Sequence, residues 1–312
     1  RRDDRAERAE PVEALGARLI ACCEPDYPPL LAQLDAPPPL LAIRGDAKWL
    51  KKPTIAIVGS REGSGSALMF AERLAADLGA AGYTIVSGLA RGVDAAAHKG
   101  ALPTGTAGVL AGGLDHPYPP QNQKLHDALC ERGAVVSEAP LGSVARARDF
   151  PRRNSIISGV SRAVVIIEAA LRSGSLITAR AAADQGRDVM AAPGSPLDPR
   201  ARGSNALIKQ GATLIEDARD VIAALGESAP PLRPLSAGPL FANIDATPLP
   251  AGFPKKVAAL LSPTPIHVND LARLVEAPAG AVAAALTELE LEGRAASLPG
   301  AYAASSGAPF SS

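Results

Sequence analysis

The sequence predicts an α/β protein: a doubly wound, Rossmann-like parallel sheet with a small C-terminal winged-helix domain. Three observations carry that prediction. From Pro53 onward, short β-rich apolar runs alternate with segments of helical period, the pattern of parallel strands covered on both faces. Glycine- and serine-rich turns follow several of those runs, as turns into helices do at the carboxyl edge of such a sheet. Beyond a stretch rich in Pro, Gly and Ser, three short helical patterns and a hairpin pattern close the chain.

Residues 1–52 read as an extended N-terminal lead-in that wraps the next domain, with proline clusters at Pro28–Pro29 and Pro37–Pro39. The Rossmann-like domain spans 53–225. It opens with strand TIAIVGS (54–60) and helix SALMFAERLAADLGAAG (66–82), which Gly82 closes. Strand YTIVSG (83–88), a helix from Val93 to Leu102 and strand TAGVLAGG (106–113) come next. Helix QNQKLHDALCERG (121–133), strand AVVSEA (134–139), a short helix RRNSIISGVS (152–161) and strand AVVIIEA (163–169) continue the alternation. Helix SLITARAAADQG (175–186), strand DVMAAPG (188–194), a helix near Asn205–Gln210, strand ATLI (212–215) and helix DARDVIAALG (217–226) complete it. Residues 226–252 lack a sustained period and read as a flexible linker. The winged-helix module spans 253–306, with helices 254–262, 270–276 (capped by Asn269) and 280–293. Its hairpin RAASL-PG-AYAA turns at Pro299–Gly300.

Bulk properties narrow the function. At 312 residues the chain has room for two domains. Lys+Arg and Asp+Glu balance at 32 each, so any anion site must be local rather than a polycationic coat. Three cysteines, Cys22, Cys23 and Cys130, form neither a CxxC pair nor a disulfide framework, which suits a reducing compartment. No apolar run approaches the length needed to span a bilayer; AVVIIEAAL (163–171) is already broken by Glu168. The opening RRDDRAERAE is charged and reads as frayed, not as a signal peptide.

The turn GSREGSGS (59–66) lacks both GxGxxG and the GK[ST] ending of a Walker A loop, so neither nucleotide fingerprint is present. What it offers is amide groups at a helix start around Gly59, Ser60 and Ser64, with Arg61 beside them. SGLARGVDAAAH (87–98) repeats the arrangement with Ser87, Gly88, Arg91 and Gly92. Asp94 and His98, four apart on the following helix, share a face as an acid–base or metal pair would. Capping and packing are the favoured reading for them. The segment 141–162 carries Arg146, Arg148, Arg152, Arg153 and Arg162 against a single acid, Asp149. Phe150 lies among them, in a chain with only five Phe, four Tyr and one Trp to place. Guanidinium groups for phosphates around an aromatic platform for an unstacked base suit single-stranded nucleic acid. A third turn holds Arg172, Gly174 and Ser175. In a parallel sheet these turns share one rim, and several anion nests in a row fit a chain of phosphates better than one phosphate.

VGSR (58–61), SGLARGVDAAAH (87–98), GL-DHPYP (113–119), Ser137–Glu138, FPRRNSIISGVS (150–161), SGSLITA (173–179), APG (192–194) and LIKQGA (207–212) together resemble the DNA-processing protein A family (DprA, also called Smf). The resemblance runs from about Tyr27 through Val221, and the winged helix is similar to the family's optional C-terminal module. It implies a cytoplasmic bacterial protein that binds incoming single-stranded DNA during natural transformation, dimerises and helps load the RecA recombinase. It implies no chemical reaction, no cofactor and no metal. By motif, Gly59, Ser60 and Arg61 would hold phosphate, Phe150 would stack on a base, and Arg153 and Asn154 would anchor the strand. Two positions depart from the family pattern. The third residue of its RNR is Ser155, and the basic residue three before the Phe is Ala147, flanked by Arg146 and Arg148.

The third helix of the module has no Lys or Arg and carries Glu288, Glu290 and Glu292. Groove binding needs cations facing phosphates, so the module is expected to contact protein rather than read duplex DNA. That disfavours a promoter-reading regulator. The competing enzyme reading is a nucleotide-processing, phosphoribohydrolase-like Rossmann protein using Glu138, Glu168, Asp94 and His98; against it, the turn comparable to PGGxGT is RSGSLIT.

Overall fold

A computed structural model describes residues 9–227, 252–298 and 301–305. Most of the expected linker, 228–251, and the expected hairpin turn at Pro299–Gly300 lie outside the described residues. The strands are β1 (Ala17–Ala21), β2 (Leu40–Gly45), β3 (Thr54–Gly59), β4 (Thr84–Ser87), β5 (Thr106–Leu110), β6 (Ala134–Ser137), β7 (Ala163–Ile167), β8 (Asp188–Ala191) and β9 (Thr213–Leu214). They form one sheet in the order β1-β2-β6-β5-β4-β3-β7-β8-β9. The pairs from β6 through β9 are parallel, whereas β1/β2 and β2/β6 are antiparallel.

The helices are α1 (Pro29–Ala32), α2 (Gly65–Ala80), α3 (Val93–Ala101), α4 (Gln123–Arg132), α5 (Asp149–Gly159), α6 (Ser175–Asp184), α7 (Arg202–Lys209) and α8 (Ala218–Ala224). Strand side chains alternate between two cores. Ile55 and Ile57 join Leu74, Ala97 and Val165 on one face of the sheet, while Ala56 and Val58 join Val86, Ile156 and Val164 on the other. Burying each such Ile or Val stabilises the fold by about 2 kcal/mol. The continuous apolar runs of the sequence therefore reflect two-sided burial, and the doubly wound reading holds.

Chain order reverses beside β3: β4, β5 and β6 build outward on one side, and β7 starts the other. The crevice at that reversal is where parallel sheets bind ligands. Gly59, ending β3, permits the tight approach there, since an added Cβ would lie 1.9 Å from the Ile167 carbonyl oxygen.

The lead-in does more than wrap the domain. ARLIA and LLAIRG become β1 and β2, which extend the sheet beyond β6. The proline clusters do not prevent this, because they lie in the connection between the two strands and not within either.

The module packs α9 (Phe253–Leu260), α10 (Val268–Val275) and α11 (Ala279–Leu291) with β10 (Ile266–His267), β11 (Ala295–Leu298) and β12 (Ala301–Ala304). Val257, Leu271, Val282, Leu286 and Leu289 form its core. Its second helix starts earlier than expected, with His267 rather than Asn269 at the N-cap, because the chain turns directly from β10 into the helix. Met69 of α2 packs into the module's core, and Arg273 reaches Glu72 at 3.3 Å.

Candidate nucleic-acid interface

The turn after β3 is divided between two neighbours. Arg61 is exposed and its guanidinium carbon stands 5.1 Å from the centre of the Phe150 ring, within cation–π range. Three residues on, Ser64 is only 2% exposed. It caps α2 by accepting from the Ala67 amide at 3.2 Å. Its own amide donates to Glu168 at 3.1 Å and its hydroxyl donates to the same carboxylate at 2.5 Å. Ser64 was expected to meet DNA; its polar groups are committed internally, and the helix start it caps is already served by Glu168.

Glu168 lies just past the end of β7 with a left-handed backbone, φ 51°. Burial pushes its carboxyl above the ordinary range, opposed by Arg200 and Ser64. Arg200 pairs with Glu168 at 3.2 Å and Asp198 at 2.9 Å. The same guanidinium donates to the carbonyl oxygens of Ala259 at 3.0 Å and Leu261 at 2.8 Å, at the end of α9. The module thus closes over this side of the turn. A cavity of about 290 Å³ remains between Ser64, Glu168, Asp198 and the module's Ser262 and Thr264.

On the opposite side, the first turn of α5 brings Phe150 and Arg153 to the rim. Arg153 is 6% exposed. It donates to the Gly88 carbonyl and, at 2.9 Å, to that of Val109, while its Nε reaches Asn154 Oδ1 at 3.1 Å. It also lies 5.5 Å from the Phe150 ring centre. Asp94 accepts from the Gly88 amide at 3.1 Å; burial pushes its carboxyl up, and Arg153 pulls it back. Arg153, expected to anchor the strand, is buried and ties the ends of β4 and β5 together beneath the ring. Asn154, 8% exposed, donates to the Gly174 carbonyl at 3.3 Å.

The remaining expected contacts sort the same way. Ser87 is buried and donates to the Ile57 carbonyl. Gly88 is buried against Arg153. Gly92, with φ 75°, is required because a Cβ there would lie 2.2 Å from the Ser60 carbonyl oxygen. Ser175 is buried and pairs with Ser173 at 2.7 Å, whereas Gly174 is exposed. Arg91 is exposed and faces Glu62 at 3.8 Å. Gly59 and Ser60 are half-buried on the rim.

Arg146, Arg148 and Arg152 are exposed. With Arg153, Pro140 and Ser143 they line a cup of about 510 Å³ at the ends of β5 and β6. Arg152 pairs with Glu138. Of the four groups of the enzyme reading, Glu138, Glu168 and Asp94 are therefore each engaged by an arginine. His98 lies a helical turn below the rim, bonded at 2.7 Å to Thr106 at the amino end of β5. Burial drives its ring down to about 3, so it stays neutral. Among the described residues, no group of three or more His, Cys, Asp or Glu is arranged for a metal ion. No helix of the described residues is long and apolar enough to cross a membrane.

Two residues escaped the sequence reading. Tyr118 meets Phe150 edge-on, with ring centres 6.1 Å apart; the scarcity of aromatics was the signal for it. Arg200, the interdomain clamp, left only its spacing from Asp198 in the sequence.

Comparison with known proteins now identifies the class. Residues 18–226 match the family model of DNA recombination-mediator protein A, and residues 238–301 match the DprA winged helix domain. The chain is 39% identical over 290 residues to Protein Smf of Escherichia coli K12, covering 91% of this chain and 76% of that one. The solved DNA processing protein A from Streptococcus pneumoniae is 40% identical with a TM-score of 0.63, over 66% of this chain and 73% of its own. That of Helicobacter pylori, whose structure addresses its single-stranded DNA binding mode, is 30% identical with a TM-score of 0.62, over 67% and 95%. The chain belongs to the DNA recombination-mediator protein A family.

Proposed function

We propose that this protein binds single-stranded DNA along the β3–β6 side of the rim and hands it to the RecA recombinase in natural transformation and homologous recombination. It acts in the cytoplasm, as a homodimer, without a chemical step. The observation that carries the reading is the half-buried Phe150 ring with two guanidinium groups and Tyr118 gathered around it, next to an arginine-lined cup. A ring gives every base a face to stack on, and exposed arginines take phosphates without reading sequence. Family membership and the single-stranded DNA binding mode of the Helicobacter pylori relative support it.

Within the module, Glu288 and Glu290 of α11 and Glu292 at its C-cap are exposed, so that helix repels phosphates and suits a protein contact. The test is a titration of labelled oligo-dT against an equal-length duplex at two salt concentrations. Single strands should bind more tightly, and affinity should fall steeply with salt. Arg61→Ala should weaken binding roughly tenfold for every sequence and reduce the salt slope by about one. Equal affinity for the duplex would reject the reading.

A further inference from the structure

We propose that the proline loop of the N-terminal segment forms, with α5, a second cup for an unpaired base of the same strand, with Arg152 at the phosphate between the two cups. The inference rests on the single-strand reading above. The second pocket is about 300 Å³, lined by Leu31, Leu34, Pro37, Pro38, Pro39 and Ile156. Arg152, Glu138 and Ile156 line both this pocket and the arginine-lined cup, so the Arg152–Glu138 pair forms the partition between them.

The chemistry fits a base rather than a phosphate. Leu31 is fully buried, and proline rings give flat apolar walls without donors, which tolerate any base. Charge stands only at the partition. Arg152's side chain is 73% exposed while that of Glu138 is 14% exposed, so a phosphate arriving from solvent meets the open side of the guanidinium, whose remaining N–H donors can take it with the Glu138 pair intact. The Phe150 ring, the arginine-lined cup and the apolar cup follow one another as base, phosphate and base do along an extended strand.

The walls are held in advance. Tyr27's hydroxyl donates to the Pro38 carbonyl at 2.7 Å. Arg187 donates to the Leu30 carbonyl of α1 at 2.8 Å and to the Gly159 carbonyl of α5 at 3.4 Å, bridging the two helices. Gly159 permits the close approach, because a Cβ there would lie 2.7 Å from a Leu31 methyl. A preformed wall adds little ordering cost on binding. Ser155 lines the same pocket, and its short side chain leaves the cup open.

The experiment measures anisotropy of an oligo-dT length series on the full chain, for the wild type, Ser155→Trp and Ala36→Trp. The two tryptophans fill the pocket from α5 and from the exposed proline loop, so one remains informative if the other melts early. Wild-type affinity should rise in two steps with length. Both variants should lose the second step, roughly fivefold, at the low end of what one stacked base contributes, and bind the shortest oligonucleotides as wild type does. If neither variant alters the length profile while Arg61→Ala weakens every length, the second cup is overturned and the single-strand reading stands. Failure of the wild type to bind any length overturns both.

Discussion

On the β4–β6 side of the β3 turn, arginine side chains stay exposed around a ring and a cup. On the β7–β9 side, the serine amide and hydroxyl of the same turn go to Glu168, and Arg200 seals the module over them. One strand-to-helix turn thus faces two environments. The contrast teaches that a glycine- and serine-rich turn marks where an anion can sit, while the next strand decides whether the anion is a ligand or the protein's own carboxylate. Arg61 and Ser64 are three residues apart, one open to solvent and the other enclosed.

The sharpest way to break this comparison is to remove a buried arginine and an exposed one in turn. Arg153→Ala leaves Asp94 buried without its counter-charge and should cost about 4 kcal/mol in denaturant unfolding. Arg61→Ala should change stability by less than about 0.5 kcal/mol while weakening oligo-dT binding. Equal unfolding midpoints for the two variants would mean that Arg153 does not hold the rim together. On the closed side, Arg200→Ala strips two carboxylates and two carbonyls of a donor. It should cost about 3 kcal/mol in thermal unfolding and leave oligo-dT affinity within about twofold. A large loss of affinity would show that the two sides are coupled.

A smaller effect sharpens the assignment of His98. Its folded value of about 3 lies below the ordinary 6.5, so only the unfolded chain takes up a proton as pH falls below 6.5. Stability is therefore fully present above that pH and is lost on the way down toward 3. Between pH 7 and 5.5 the wild type should lose about 1 kcal/mol more than His98→Gln, measured by urea unfolding. Parallel pH profiles would place the ring in contact with water.

The strand and helix order from Thr54 to Ala224 was legible because two-sided burial writes itself as unbroken apolar runs such as AVVII. β1 and β2 were not, because Pro28–Pro29 and Pro37–Pro39 between them masked the pairing. At the site, residue types were legible and their partners were not. Arg61, Phe150 and the cup arginines stood out by composition, but nothing local tells that Ser64 meets a carboxylate 104 residues away. Nor does RRN reveal that its second arginine is swallowed by the carbonyls of two strands.

Glu168 carries a consequence of its own. Its main chain wants glycine: a left-handed backbone costs a side-chain-bearing residue of order 1 kcal/mol. Its head group admits only an anion, since a serine, an amide and a guanidinium all converge on it. Glycine would ease the chain and leave the Ser64 amide without its acceptor; glutamine would keep the shape and lose the charge. Neither replacement satisfies both demands, so the joint between the two domains hangs on a position where easing the backbone and keeping the charge pull apart.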